Sequence, residues 1–134
     1  IVVSKTNVLV VGIDDKAMLL QELDIEVISF EFGALATRSL KRENIAGVVS
    51  RWNLPDMKDG KLLKGIKRIK PYMPTIAVIE SGNAAQEISA RSAGVSAVMT
   101  ENIDGFDFKR LVCNLMGFER TELISELKER LFVH

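Results

Sequence analysis

Five short apolar runs alternate along the chain with longer segments in which apolar residues recur every three or four positions. Apolar runs of this length are typical of strands that are buried on both faces of a parallel sheet. They predict strands at residues 8–11, 26–32, 45–50, 75–79 and 96–100. The second run alternates polar and apolar residues, so one face of that strand is expected to be drier than the other.

The amphipathic segments between these runs predict helices at residues 16–23, 34–43, 57–70, 84–93, and from 102 or 104 to 116. Asp14 or Asp15 is expected to cap the first helix. The predicted apolar stripe of the third helix consists of Leu62, Leu63, Ile66 and Ile69. Five alternations of strand and helix predict an α/β fold, a flavodoxin-like doubly wound five-stranded parallel sheet in the order 2-1-3-4-5.

A further amphipathic segment follows Gly117. Its apolar stripe consists of Leu123, Ile124, Leu127 and Leu131. The pattern therefore divides the chain into a domain at residues 1–117 and a C-terminal amphipathic helix extension at residues 118–134. The stripe is expected to pack on the sheet, to pair with a second copy, or to lead into a downstream domain. A homodimer contact is favoured, because the predicted sheet is already covered by its own helices.

Composition limits the classes of function. The 134 residues suit one domain, and 18 basic residues balance 18 acidic ones. A neutral chain has no overall field that attracts nucleic acid, and no apolar run is long enough for a membrane span, so neither partner is expected. The single cysteine, Cys113, suits a reducing cytoplasm. Because the chain begins with Ile1 rather than Met, we expect an excised or processed piece of a longer protein.

The loop after the third predicted strand carries a motif. It reads Asn-Leu-Pro-Asp-Met at residues 53–57 and continues with Asp59 and Gly60. This stretch resembles the loop after the third strand in receiver domains of two-component response regulators, and the resemblance covers about residues 7–116. It implies the same flavodoxin-like fold and a place in bacterial or archaeal signal transduction.

The resemblance also implies a phosphorylation pocket, and this chain departs from the family there. The family's phosphoryl-accepting Asp corresponds to Arg51, and its two Mg²⁺-binding acidic residues correspond to Gly12 and Ile13. A guanidinium is cationic and non-nucleophilic, and neither Gly12 nor Ile13 supplies a side-chain oxygen for Mg²⁺. A register moved by two residues would make Asp14 and Asp15 the acidic pair, but it would shorten the first helix further.

The remaining pocket positions differ as well. The family's strand-four Thr or Ser corresponds to Ile79, its strand-five aromatic residue to Val98, and the Lys after strand five to Glu101. The resemblance therefore implies a degenerate receiver, or pseudo-receiver, that is not phosphorylated, needs no cofactor or metal, and is not an enzyme. Its partner is expected to be a signalling protein or a fused signalling domain.

Two features of this pocket have alternative interpretations. Arg51 and Glu101 carry the charges of the family's Asp and Lys in exchanged positions, so they are expected either to form an ion pair or to remain separately solvated. Trp52, beside Arg51, is a candidate partner-binding residue, since aromatic side chains are enriched at binding hot spots. The alternative is that Trp52 folds back over the neighbouring helix.

Other polar features have ordinary structural explanations. One interpretation of four acidic residues is a metal-binding cluster of Asp14, Asp15, Asp56 and Asp59. Helix capping and turn formation account for each of these acidic residues separately. The basic face at residues 58–70 is typical of the solvated side of a helix, although it would also suit phosphate groups.

Two other classes of function are alternatives to an interaction module. A flavodoxin-like protein that binds flavin or another small molecule needs a phosphate-binding loop after strand one, and residues 12–15 place acidic groups there. An enzyme needs a nucleophile and a base, and the sequence offers no such pair. The expected function is therefore a non-phosphorylatable protein-interaction or regulatory module.

Overall fold

The computed structural model describes residues 7–23 and 25–117, which contain five parallel strands. The strands are β1 (Asn7–Val11), β2 (Glu26–Phe30), β3 (Ile45–Arg51), β4 (Thr75–Ile79) and β5 (Ala97–Thr100). They pair in the order β2-β1-β3-β4-β5, and every pair is parallel. The predicted flavodoxin-like sheet and its strand order are confirmed.

Helices connect the strands and cover both faces of the sheet. They are α1 (Asp14–Leu20), α2 (Gly33–Arg42), α3 (Lys61–Ile69), α4 (Ala84–Ser92) and α5 (Gly105–Met116). Helices α1 and α5 pack in one core cluster, and α2, α3 and α4 pack in the other. No helix of this described part of the chain is long and apolar enough to cross a membrane. The predicted extension at residues 118–134 lies outside the described residues.

The central strands explain the unbroken apolar runs of the sequence. Successive side chains of β1 point to opposite faces, so Val8 and Val10 enter the cluster under α1 and α5, while Leu9 and Val11 enter the other cluster. All four of these side chains are fully buried. The edge strand β2 is partly exposed, as its alternating pattern predicts.

Three predicted details of the helices are wrong. Helix α3 begins at Lys61 instead of residue 57, because residues 52–60 form a loop that ends in a left-handed turn at Asp59 and Gly60. Ile69 was expected on the apolar stripe of α3, yet it is 62% exposed, since it lies in the last turn, where the helix leaves the sheet. Helix α1 has no side-chain cap, and Asp14 lies within its first turn, where it accepts a hydrogen bond from Ser29.

Gly65 occupies the middle of α3 without an evident role in the packing of the domain. A Cβ at this position would meet no atom within 4 Å. An interior glycine costs a helix about 1 kcal/mol relative to alanine, because it loses more backbone entropy on folding. The fold of the described residues therefore gives no reason for a glycine here.

The carboxylate of Asp56 joins the β3–α3 loop to the start of α2. Its two oxygens accept hydrogen bonds from the N–H of Gly33 at 2.8 Å and from the N–H of Ala34 at 3.0 Å. These bonds, assisted by the charge of Lys61, lower the pKa of Asp56 below its ordinary value of 3.8. An anion at a helix N-terminus is favourable, so the loop and α2 stabilise each other through this contact.

We expect Asp56→Asn to destabilise the domain at neutral pH, because an amide has one acceptor oxygen and no charge. Since the folded-state pKa of Asp56 is depressed, its stabilising contribution is present above the unfolded-state pKa. The contribution is lost as the pH falls through the folded-state pKa. Urea unfolding of wild type and variant should therefore give free energies that differ at pH 7 and converge only when the pH falls below the depressed pKa of folded Asp56.

Asp59→Asn is the matched control for this experiment. Asp59 is an exposed carboxylate in the same loop, and asparagine tolerates its positive φ of 56°. A loss of stability in Asp59→Asn equal to that in Asp56→Asn at pH 7 would contradict the capping role of Asp56.

Candidate functional site

The candidate site lies at the carboxyl edge of the sheet, where ligands bind in parallel α/β folds. Strand β1 is followed there by Gly12 and Ile13, β3 ends in Arg51, and β5 is followed by Glu101. Ile79, the last residue of β4, lies between β3 and β5, because β4 is paired with both of them. The parallel strands thus bring four loops together around Arg51.

Arg51 and Glu101 form an ion pair across the end of β4. Arg51 Nη2 lies 2.8 Å from Glu101 Oε2, and the two side chains are 44% and 39% exposed. The backbone N–H of Glu101 donates to the carbonyl of Ile79 at 3.0 Å, which fixes the start of the β5–α5 loop. The structure agrees with the first of the two sequence-based hypotheses, in which the exchanged charges pair directly.

Lys16 binds the backbone of Glu101, a contact that was not predicted from the sequence. Its ammonium group donates to the backbone carbonyl of Glu101 at 2.6 Å and lies 3.6 Å from Asp15 Oδ2. The residue is 8% exposed. The signal in the sequence was a lysine at a core-facing helical position, three residues after Ile13 and four before Leu20.

Gly12 leaves the space that the side chain of Leu54 needs, directly beside the aliphatic part of Arg51. Its φ is +79°, and a Cβ on it would lie 2.9 Å from Leu54 Cδ2 and 3.5 Å from both Cβ and Cδ of Arg51. Any side chain here would therefore strain the backbone and collide with Leu54. Gly12, Leu54 and Arg51 form one packed unit at the edge of the sheet.

The other two predicted pocket residues lie away from this unit. Ile13 is 3% exposed and packs in the core under α1 and α5. Val98 lies within β5, where it pairs with Ala77 and packs toward α2, α3 and α4. Of the six predicted pocket residues, Gly12 and Ile79 lie beside the ion pair of Arg51 and Glu101, whereas the side chains of Ile13 and Val98 pack in the core.

The acidic residues of this edge are dispersed. Asp14 binds Ser29, and Asp56 caps α2. Among the residues that the structure describes, no three His, Cys, Asp or Glu side chains are close enough to share a metal ion. The small open pocket beside the ion pair is lined by Arg51, Asn53, Val78, Ile79, Glu80, Gln86 and Glu101. Its one cation is already paired, so the pocket is poorly suited to an anionic ligand.

The structure agrees with the second interpretation of Trp52, in which the side chain folds back over the neighbouring helix. Trp52 is 3% exposed, and its ring packs against Gly60, where any Cβ would collide with it. The ammonium of Lys64 lies 5.4 Å from the ring centroid, which is within cation–π range. Trp52 thus folds under the start of α3 and contributes to the core.

The site and fold can be compared with known proteins. No family model matches the chain. The chain is 28% identical over 99 residues to the transcriptional regulatory protein GlrR of Escherichia coli, covering 69% of this chain and 22% of that protein. It is 35% identical over 74 residues to a chemotaxis protein CheY homolog of Campylobacter jejuni, covering 53% and 57%. The matches thus span less than two thirds of these curated relatives.

Solved structures give the same fold at low sequence identity. A CheY-like receiver domain protein from Methanospirillum hungatei superposes with a TM-score of 0.77 at 19% identity, covering 92% of this chain and 99% of that one. A receiver domain from Clostridium thermocellum gives 0.76 at 20% identity, covering 89% and 98%. The receiver domain of the Pseudomonas aeruginosa sensor kinase PA1611, solved with magnesium in its active-site cleft, gives 0.74 at 16%, covering 86% and 100%.

Sequence and fold together support a receiver domain of the response-regulator class. In this receiver fold the candidate site lies at the carboxyl edge, where the ion pair of Arg51 and Glu101 lies beside Gly12. The chain shares its fold with these solved receiver domains. The chemistry of its carboxyl edge depends on its own side chains.

We expect the ion pair to make a measurable but small contribution to stability. Because both side chains are partly exposed, the coupling energy between Arg51→Ala and Glu101→Ala in a double-mutant cycle should be about 0.5–1 kcal/mol. It should decrease in 1 M salt, where charges are screened beyond about 3 Å. The parallel cycle of Arg51→Ala with Glu80→Ala, a pocket carboxylate that does not pair with Arg51, should be additive. Additive losses in the first cycle would mean that the two charges are separately solvated.

Proposed function

We propose that this receiver-like domain is a pseudo-receiver, a protein-interaction or regulatory module of two-component signalling that does not accept a phosphoryl group. The observation that carries the proposal is the ion pair of Arg51 with Glu101 at 2.8 Å. The resemblance aligns Arg51 with the family's acceptor Asp. The domain binds partners and does not catalyse a reaction in this proposal.

The chemistry of the site supports this proposal. Phosphoryl transfer to a receiver requires a carboxylate nucleophile, and a guanidinium remains protonated and non-nucleophilic. Mg²⁺ requires oxygen ligands, whereas Gly12 has no side chain and the Ile13 side chain is buried in the core. The carboxylate of Glu101 would repel a phosphoryl group at the edge where the family places a lysine.

The ion pair also suggests how such a domain would signal. It connects the end of β3 to the β5–α5 loop, so a single arrangement of this edge is expected. A partner would then change the domain only if it binds two conformations with different affinities. The partner would be a cytoplasmic signalling protein or a fused signalling domain, docked on the α4, β5 and α5 face that receivers use.

The flavin-binding alternative has little support in the geometry. A phosphate-binding loop presents hydroxyls and free N–H groups at a helix N-terminus. After β1, the N–H of Gly12 donates to the carbonyl of Phe30 at 2.8 Å, and Ile13 caps α1 without a side-chain hydrogen bond. The first turn of α1 then carries Asp14 and Asp15, which would repel a phosphate.

We expect no phosphoryl uptake from a small-molecule donor in the presence of Mg²⁺. Intact-mass spectrometry should give the unmodified mass after such treatment, while a phosphorylatable receiver treated in parallel gains one phosphoryl group. Arg51→Asp alone should also stay unmodified, because Glu101 and the missing acidic pair remain. A phosphoryl adduct mapped to Asp14, Asp56 or Asp59 would contradict the proposal.

The homodimer stays a separate expectation, because residues 118–134 lie outside the described part of the chain. Burying a leucine or isoleucine stabilises a protein by about 1.5–3 kcal/mol, so the stripe at residues 123–131 is expected to pack against something. Light scattering should give a dimer for the intact chain and a monomer for a chain that ends at Gly117. A monomer in both cases would reject dimerisation, and a large loss of stability on truncation would indicate packing within the chain.

A further inference from the structure

The outward side of α3 presents a stripe of basic and exposed apolar residues that the proposed function does not use. We call this stripe the α3 outer face. It consists of Lys61, Lys64, Gly65, Arg68, Ile69 and Tyr72. The first five recur at helical spacings of three and four along α3, and Tyr72 lies in the turn that follows the helix. Ile69 is 62% exposed and Tyr72 is 97% exposed.

All charged side chains within helices α2 and α3 are basic. Helix α2 carries three basic residues and α3 carries four, and neither helix carries an acidic one. Both helices cover the same face of the sheet. Within residues 7–23 and 25–117, neither Lys64 nor Arg68 forms an ion pair, and Lys61 only assists in lowering the pKa of Asp56. Although the whole chain is neutral, these two helices carry seven basic residues and no acidic one, and acidic residues such as Glu43, Asp56 and Asp59 lie beyond their ends.

Gly65 distinguishes the α3 outer face from an ordinary solvated helix surface. It lies among Lys61, Lys64 and Arg68, and a Cβ there would meet no atom of the domain within 4 Å. A glycine that weakens its own helix without relieving any contact is explained if another backbone approaches closely at this point. The exposed Ile69 and Tyr72 supply apolar surface at the end of the same stripe.

A protein helix fits this combination better than a nucleic acid does. Phosphate groups would engage the cations but would leave Ile69 uncovered and would make no use of the gap at Gly65. A neutral chain also lacks the long-range electrostatic field that attracts nucleic acid. An amphipathic helix with carboxylates beside its apolar stripe would match both the charges and the apolar end.

We propose that the α3 outer face docks an acidic amphipathic helix of a partner protein. The carboxylates of that helix pair with Lys61, Lys64 and Arg68, its apolar side chains cover Ile69 and Tyr72, and its backbone passes over Gly65. This surface is separate from the α4, β5 and α5 face, so the inference does not depend on whether the domain accepts phosphate.

The first test measures binding of the intact chain to a fluorescent peptide by anisotropy at physiological salt. The peptide is a designed helix with leucines at a spacing of three and four and glutamates on either side of them. Two comparison probes are a scrambled peptide of the same composition and a random DNA duplex. We expect the helical peptide to bind at least about tenfold more tightly than either comparison probe.

Charge-reversal variants locate the binding surface. Lys64→Glu combined with Arg68→Glu should weaken binding of the helical peptide at least about tenfold, since like charges then face each other. Arg68→Glu alone, which spares the contact of Lys64 with Trp52, keeps the test valid if the double variant fails to fold. Arg110→Glu on α5 makes the same charge change on the opposite side of the sheet and should leave the affinity unchanged.

Gly65→Ala separates docking from stability. Because the added methyl group meets no atom of the domain, it should raise the thermal midpoint of unfolding while it weakens binding of the helical peptide. Absence of peptide binding, equal binding of the scrambled peptide, or tighter binding of the DNA duplex would overturn the proposal. The proposal would also be overturned if Arg68→Glu and Gly65→Ala leave the affinity for the helical peptide unchanged.

Discussion

The packing of the β3–α3 loop is the constraint on which the carboxyl edge of the sheet depends. Leu54 is 1% exposed and fills the space beside Gly12, while Met57 and Leu54 together fill the space beside Gly33, so both positions accept only glycine without a shift of this loop. Asp56 caps α2 from the same loop, and Trp52 is covered by the start of α3. One loop thus sets the positions of two helices and of the site between them.

Arg51 connects this loop to the loop after β5. Its aliphatic part lies against the space left open by Gly12, and its guanidinium reaches Glu101, whose carbonyl is held by Lys16. The contacts are mutually dependent, since an acidic side chain at position 12 would collide with Leu54 and approach the stem of Arg51. A single substitution at Arg51 would therefore leave a pocket that still lacks space and oxygen ligands for Mg²⁺.

The fold was predictable because the central strands are buried on both faces, which makes their apolar runs short, unbroken and easy to recognise. The boundaries of the loop at residues 52–60 were less predictable, because side-chain contacts decide them. The Asn53 side chain accepts a hydrogen bond from the N–H of Asp59 at 2.7 Å, and this bond holds the turn that delays α3. A helical pattern at residues 57–70 carries no signal of that contact.

The site was predictable in part. The exchange of charges at Arg51 and Glu101 made an ion pair one of two expected arrangements, since the ends of β3 and β5 flank the same strand. The burial of Trp52 depends on the left-handed turn at Gly60, and the reach of Lys16 to Glu101 depends on the rotation of α1. Neither of these is specified by local periodicity, because both follow from how separate elements pack together.

The most direct measurement is a ¹H–¹⁵N NMR titration of the chain with Mg²⁺ and beryllofluoride, which mimics a phosphoryl group on a carboxylate. If the ion pair of Arg51 and Glu101 replaces the phosphorylation chemistry, the amide resonances of Gly12, Arg51, Ile79 and Glu101 should not move. Saturable shifts of these resonances that require both Mg²⁺ and beryllofluoride would contradict the account, because they would mean that the edge of the sheet still binds a metal and a phosphoryl group.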